Sequence, residues 1–177
     1  MKKFIATLLA AMSVVMLVGC GSGNVIRPED GYAEGQLGDT MRTYFFDYSV
    51  NSAYLCDTFE GYVPMEGYEI LVVELTVTNT DSRNVEMYDS DFQIQWGDSA
   101  SDAFDFSLTF YDETFSDKVF PGIYTLSSKE SRTASLVFEV PEGHSQFSIS
   151  YLELFDTDDA SAREGDTFFV YFDAKKQ

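Results

Sequence analysis

The densest set of oxygen ligands in the chain lies in DTDDASAREGD, where Asp156, Asp158, Asp159, Glu164 and Asp166 fall between two apolar stretches. Carboxylates at that density suit a hard cation such as Ca²⁺, which accepts oxygens in irregular cages. An EF-hand loop needs ligands at its first, third and fifth positions, Gly at the sixth and Glu at the twelfth. Counted from Asp156, the last three of those positions hold Ala160, Ser161 and Thr167, so that loop type is excluded. A looser Ca²⁺ site on Asp156, Asp158 and Asp159 stays open beside the plainer reading of a solvated acidic loop. Asp89 and Asp91 in YDSDF flank a strand start and make a weaker candidate.

Nucleophilic chemistry is poorly supplied. The single histidine, His144, sits in the turn sequence PEGHS, and its neighbour Ser145 points away from it in an extended chain. No Gly-x-Ser-x-Gly elbow occurs. A glycosidase pair of carboxylates needs a cleft, and none is legible. Cys56, between Leu55 and Asp57, reads as a small buried hydrophobe. No catalytic residues are assigned, and the expectation is a non-enzyme. Tyr62 and Tyr68 lie near Pro64 and Gly67 in a loop and are the candidate ligand contacts.

The remaining chemistry is at the start. Met-Lys-Lys precedes an uncharged apolar run, Phe4 to Val18, too short for the roughly 20 residues of a membrane-spanning helix. A basic start, an apolar segment and a small-residue boundary describe a signal peptide. Leu17-Val18-Gly19-Cys20 resembles the lipobox of bacterial lipoproteins. That resemblance implies diacylglyceryl transfer to the Cys20 thiol, cleavage between Gly19 and Cys20, and anchoring in a membrane by acyl chains. Residues 1–19 are then the signal peptide. With Cys20 lipidated, Cys56 has no partner and the domain must be stable without a disulfide.

Charge narrows the partners. The chain carries 30 acidic against 11 basic residues, a net −19, and loses Lys2 and Lys3 with the leader. A field of that sign repels phosphate backbones and excludes nucleic acid as a partner. Residues 20–35, CGSGNVIRPEDGYAEG, have no periodicity and are expected to form a flexible tether spanning about 20 Å. Tether and acidity together should lift the domain off an anionic lipid surface.

What must position any site is a sheet. Seven stretches alternate apolar and polar residues: Tyr44 to Val50, Leu71 to Val77, Phe92 to Trp96, Phe104 to Phe110, Ala134 to Val140, Phe147 to Tyr151 and Phe168 to Phe172. Each can bury one face. Breakers separate them, including Pro64 to Gly67, Pro121-Gly122 and Pro141-Glu142-Gly143. No stretch after residue 20 sustains helical periodicity. The spacing predicts an all-β, immunoglobulin-like antiparallel β-sandwich of about seven strands over residues 36–174, with 175–177 as a tail. Trp96 is expected in its core.

Four segments then carry a resemblance: LGDT (Leu37 to Thr40), EGYEILVVELTVTNTDS (Glu66 to Ser82), an F-x-I strand at Phe92, and SRTASLVFEVPEG (Ser131 to Gly143). In that order they resemble the immunoglobulin-like domain of unknown function found in many bacterial lipoproteins, a group similar to the small secreted immunoprotective antigen family. The resemblance implies a sandwich fold at the extracytoplasmic face of a bacterial cell membrane and supplies no catalytic residues. The functional expectation is a non-catalytic binding module whose partner is an envelope protein or extracellular ligand. The alternative is a calcium-binding structural or sensing domain.

Overall fold

The computed structural model describes residues 23–97, 104–106, 108, 116–156 and 162–177. Thirteen strands occur among them, and the only helical element is a 3₁₀ turn at Asp89–Asp91. One sheet is built from β1 (Val25–Ile26), β3 (Thr40–Arg42), β4 (Phe46–Cys56), β5 (Tyr68–Asn79) and β10 (Ser131–Pro141), in that order, with β13 (Lys175–Lys176) also on β4. The second runs β2 (Tyr32–Gln36), β12 (Ala162–Asp173), β11 (Gln146–Asp156), β7 (Phe92–Trp96) and β8 (Phe104–Phe106). A two-stranded ribbon pairs β6 (Val85–Tyr88) with β9 (Ile123–Leu126).

The seven stretches with period-two alternation correspond to β4, β5, β7, β8, β10, β11 and β12, with β8 covering only Phe104–Phe106 of the fourth, whose residues 107, 109 and 110 lie outside the described residues. Their pairings are antiparallel, whereas β1–β3, β2–β12 and β13–β4 are parallel. The apolar stripes meet between the sheets. Leu71, Val73, Leu75 and Val77 of β5 face Ile149 of β11 and Phe168 and Val170 of β12 in one core, and all are fully buried. Phe46, Tyr48, Phe92 and Tyr151 pack as an aromatic knot within it. Tyr48 costs the fold something, because its buried hydroxyl has no hydrogen-bond partner.

Four expectations are corrected. First, β1 and β2 lie inside the segment assigned to the tether. Ala33 and Gly35 are the inward residues of β2, and such small side chains leave no hydrophobic signature. The chain is pinned from Gly23 onward: a methyl group there would lie 1.7 Å from the Gly38 carbonyl oxygen. The Asp39 carboxylate accepts from both Asn24 N and Gln36 N at 2.9 Å. Second, Lys175–Lys176 is a strand rather than a tail, and Lys176 pairs with Asp57 at 2.5 Å. Third, Phe104 and Phe106 do not bury a core face; they stay 49% and 42% exposed on the edge strand β8. Fourth, Trp96 is only partly buried, packing against the core from the end of β7.

The outer face of the first sheet is not left bare. Phe59, Ile70, Val72 and Val137 form a second buried cluster there, with Tyr54, Cys56 and Tyr62 packed against it. β5 is therefore apolar on both faces over its first half, consistent with its unbroken ILVV run.

Candidate functional site

The outer face of the second sheet carries large exposed aromatics, Tyr32, Phe104, Phe106 and Tyr171. Strand register explains it. Phe168, Val170 and Phe172 of β12 point into the core, so Phe169 and Tyr171 point out. Cross-strand pairing then lays out a row of Gln36, Tyr171, Ser148, Gln95 and Phe104 across β2, β12, β11, β7 and β8. A second row beside it holds Glu34, Phe169, Ser150, Gln93 and Phe106.

The heights along those rows differ. Ser148 and Ser150 are 7% and 8% exposed, whereas Tyr171 is 46% exposed. Small side chains in the middle and aromatic rings on both sides make a trough. Phe169 and Tyr171 stack with centroids 6.3 Å apart and planes 19° apart, forming one wall. Phe104 and Phe106, edge to face at 6.1 Å, form the other. The trough runs on round the end of the sheet past Gln146, Leu37 and Trp96 and encloses about 1070 Å³.

Its polar groups are mostly amides and hydroxyls. Ser148 Oγ donates to Gln95 Oε1 at 3.3 Å, and Tyr171 Oη donates to Glu34 Oε1 at 3.2 Å. Burial, with the Glu34 charge and that second bond adding to it, raises the Tyr171 pKa above the usual phenol value. Among the described residues, the trough's charged side chains are acidic: Asp173 in the lining and Glu34 in the second row. The lining has, among the described residues, no histidine, cysteine or lysine to form a nucleophile–base pair.

A second depression, about 890 Å³, lies at the opposite end of the sandwich and brings together Arg27, Arg42 and Arg163 with Glu153, Glu164 and Asp166. Its charges are largely spoken for. Arg42 makes a bidentate pair with Asp47, its NH2 at 2.7 Å, and Arg163 lies over the Phe155 ring at 4.9 Å. Glu153, at a bulge in β11, accepts from Tyr44 N at 2.7 Å and Asp166 N at 3.3 Å. It ties the turn before β4 to the second sheet, a structural task. Gly165 makes room for it, since a β-carbon there would meet Phe155 at 2.5 Å.

The residues singled out from sequence do not converge. Gly19, Cys20, Asp158 and Asp159 lie outside the described residues. Asp156 is the last residue of β11, paired in register with Ala162. Among the described residues, no group of three or more His, Cys, Asp or Glu side chains could hold a metal ion. Tyr62 donates its hydroxyl to Glu139 Oε2 at 3.0 Å, and Glu139, 8% exposed, also accepts from Met65 N. Tyr62 thus fastens its loop onto the first sheet. Tyr68 begins β5 opposite Pro141, partly buried. His144 occupies the turn before β11, and burial raises the Cys56 thiol pKa, the opposite of activation.

Asp89 and Asp91 form the 3₁₀ turn between β6 and β7. Asp91 accepts from Tyr88 N at 2.8 Å, yet burial pushes its carboxyl up to about 6, with Asp89 adding to the effect. The trough itself was invisible in the sequence because its rows are drawn from five strands. The one local signal was the amide–aromatic alternation FQIQW.

Two packed sheets, mostly antiparallel, define the chain as a β-sandwich protein. It belongs to the family described as domain of unknown function DUF4352, which matches residues 35–160. No curated protein matches the sequence. Among solved structures, it is similar to the yjhA protein of Bacillus subtilis at 15% identity, covering 79% of this chain and 99% of that one with a TM-score of 0.56. A candidate lipoprotein of Bacillus subtilis, ycdA, matches at 18% identity and a TM-score of 0.52, over 76% of this chain but only 38% of its own length. A candidate lipoprotein of Staphylococcus aureus matches at 11% identity, 80% and 94% coverage and a TM-score of 0.51. At these identities the likeness is one of fold. Among the described residues, no helix is long and apolar enough to cross a membrane.

Proposed function

We propose that this protein is a non-catalytic binding module, held by a lipid on Cys20 at the extracytoplasmic face of a bacterial membrane, and that its ligand lies in the trough of the second sheet. The observation that carries the binding reading is the trough: a concave, aromatic-walled surface with few, fixed polar groups is the usual form of a ligand site. Among the described residues, the lining has no histidine, cysteine or lysine to serve as base or nucleophile, which favours binding over turnover. The anchor rests on the LVGC sequence, and candidate lipoproteins among the structural neighbours are consistent with it.

Hydroxyl-radical footprinting tests this on the protein in place. Oxidation of Tyr171, Phe104 and Trp96 should be lower on intact cells than in purified full-length protein. Tyr44, 69% exposed at the other end of the sandwich, serves as the control. Equal oxidation of the trough residues in both states would remove the reading.

A further inference from the structure

We infer that the ligand of the trough is an uncharged, hydroxyl-rich glycan strand; this rests on the trough being the binding site. Two observations select that chemistry over a peptide or an acidic polymer. The first is what the surface offers. Backbone N–H and C=O groups of β11, β12 and β7 are consumed by the ladders on either side of them, so the strand edges of this sheet, β2 and β8, flank the trough and leave an extended peptide no ladder to join across its middle. Only side chains remain for recognition. Those are flat rings and amides: Phe169 stacked on Tyr171 along one side, Phe104 on the other, and Gln93 and Gln95 on the floor between. A sugar ring presents a face of C–H groups, which packs on an aromatic ring, and a rim of hydroxyls. Each glutamine amide carries two donors and an acceptor with two lone pairs, matching hydroxyls that both give and accept.

The second observation is charge. Among the described residues, the trough is lined by no arginine or lysine, its charged side chains, Asp173 and Glu34, are both acidic, and the whole chain is net −19. An anionic polymer would be repelled both locally and by the long-range field. An uncharged strand is not. The walls stand three strand spacings apart, about 14 Å, and the buried serines keep the floor low between them. A chain of several sugar rings lying across the strands fits that width better than a single ring.

The chain's only tryptophan lines the trough, so its fluorescence reports occupancy directly. Full-length protein in detergent is titrated with cellohexaose, chitohexaose, hexagalacturonate and a random decapeptide library. The expected result is a saturable change in Trp96 emission with one of the two neutral oligosaccharides and none with hexagalacturonate. Tyr171→Ala should weaken that response by roughly tenfold while Tyr44→Ala leaves it unchanged, with both variants melting as wild type. Because Tyr171→Ala could loosen the β2–β12 edge, Gln95→Ala is measured beside it and should weaken binding in the same direction. A response to decapeptides alone, lost in Tyr171→Ala, overturns the glycan assignment and leaves the trough as a site. No response to any probe, with no footprint on cells, removes both.

Discussion

Replacing Tyr62 by Phe removes one oxygen and nothing else, which makes it a sharp test of what this residue does. Its hydroxyl donates to Glu139 at 3.0 Å, and Glu139 is 8% exposed on the outer face of the first sheet. A hydrogen bond to a charged, largely desolvated acceptor contributes about 1.5–3 kcal/mol, because the carboxylate cannot fall back on bulk water. In a domain of this size each kcal/mol moves Tm by about 2–4 °C. Tyr62→Phe should therefore lower Tm by roughly 3–12 °C in calorimetry, while the footprint of the trough on cells stays as in wild type. Glu139→Gln should cost a similar amount, and the double variant should cost less than the two together, since one bond is being counted twice. An unchanged Tm in Tyr62→Phe would refute the clamp. An unchanged Tm combined with an altered cell-surface footprint would restore Tyr62 as a ligand contact.

Leu75→Ala, at the centre of the inter-sheet core, should cost about 2–5 kcal/mol in chemical denaturation, whereas Glu74→Ala on the solvent face should stay within about 0.5 kcal/mol. Asp91, raised by burial from an ordinary 3.8 to about 6, keeps its proton in the folded chain where the unfolded chain has lost it. Its contribution to stability is thus full below pH 3.8 and lost as pH rises through 6, so Asp91→Asn should flatten that decline in a series of melts across the range. Cys20→Ser removes the thiol that would accept the lipid; fatty-acid labelling should vanish and the protein should stay as precursor or be released, whereas Cys56→Ser should alter neither. Mass spectrometry of the N-terminal peptide checks the same point, and an unmodified Cys20 in wild type would overturn the anchor.

Strands long enough to show alternation were legible, and short ones were not. β5 and β10 declare themselves over 12 and 11 residues rich in buried apolar side chains, but β2 reads YAEGQ and turns inward only an alanine and a glycine. β13 is two exposed lysines held by backbone pairing, which no pattern of side chains could reveal. Phe104 and Phe106 mislead for the opposite reason: an exposed aromatic pair on an edge strand has the same period as a buried one. The buried acids Glu139 and Glu153 were unremarkable in the sequence because the turns and loops they hold, at Tyr62, Met65 and Tyr44, lie 74 to 109 residues away. Sites made across strands are hidden in the same way: Gln36, Ser148 and Tyr171 become neighbours only after the sheet has formed.

The packed corner at Gly23 has a consequence for reach. A lipid on Cys20 would sit three residues before Gly23, where the chain is locked by Gly38 and Asp39, so at most about 11 Å of chain could separate the two. That is of the order of one Debye length, about 8–10 Å, so a strongly acidic domain and an anionic leaflet would push against each other. The same Asp39 that fixes the corner also accepts from Gln36, the first residue of the trough. The trough would then patrol a thin layer just above the bilayer. What it could capture would be decided first by how near to the membrane the ligand lies, and only then by affinity.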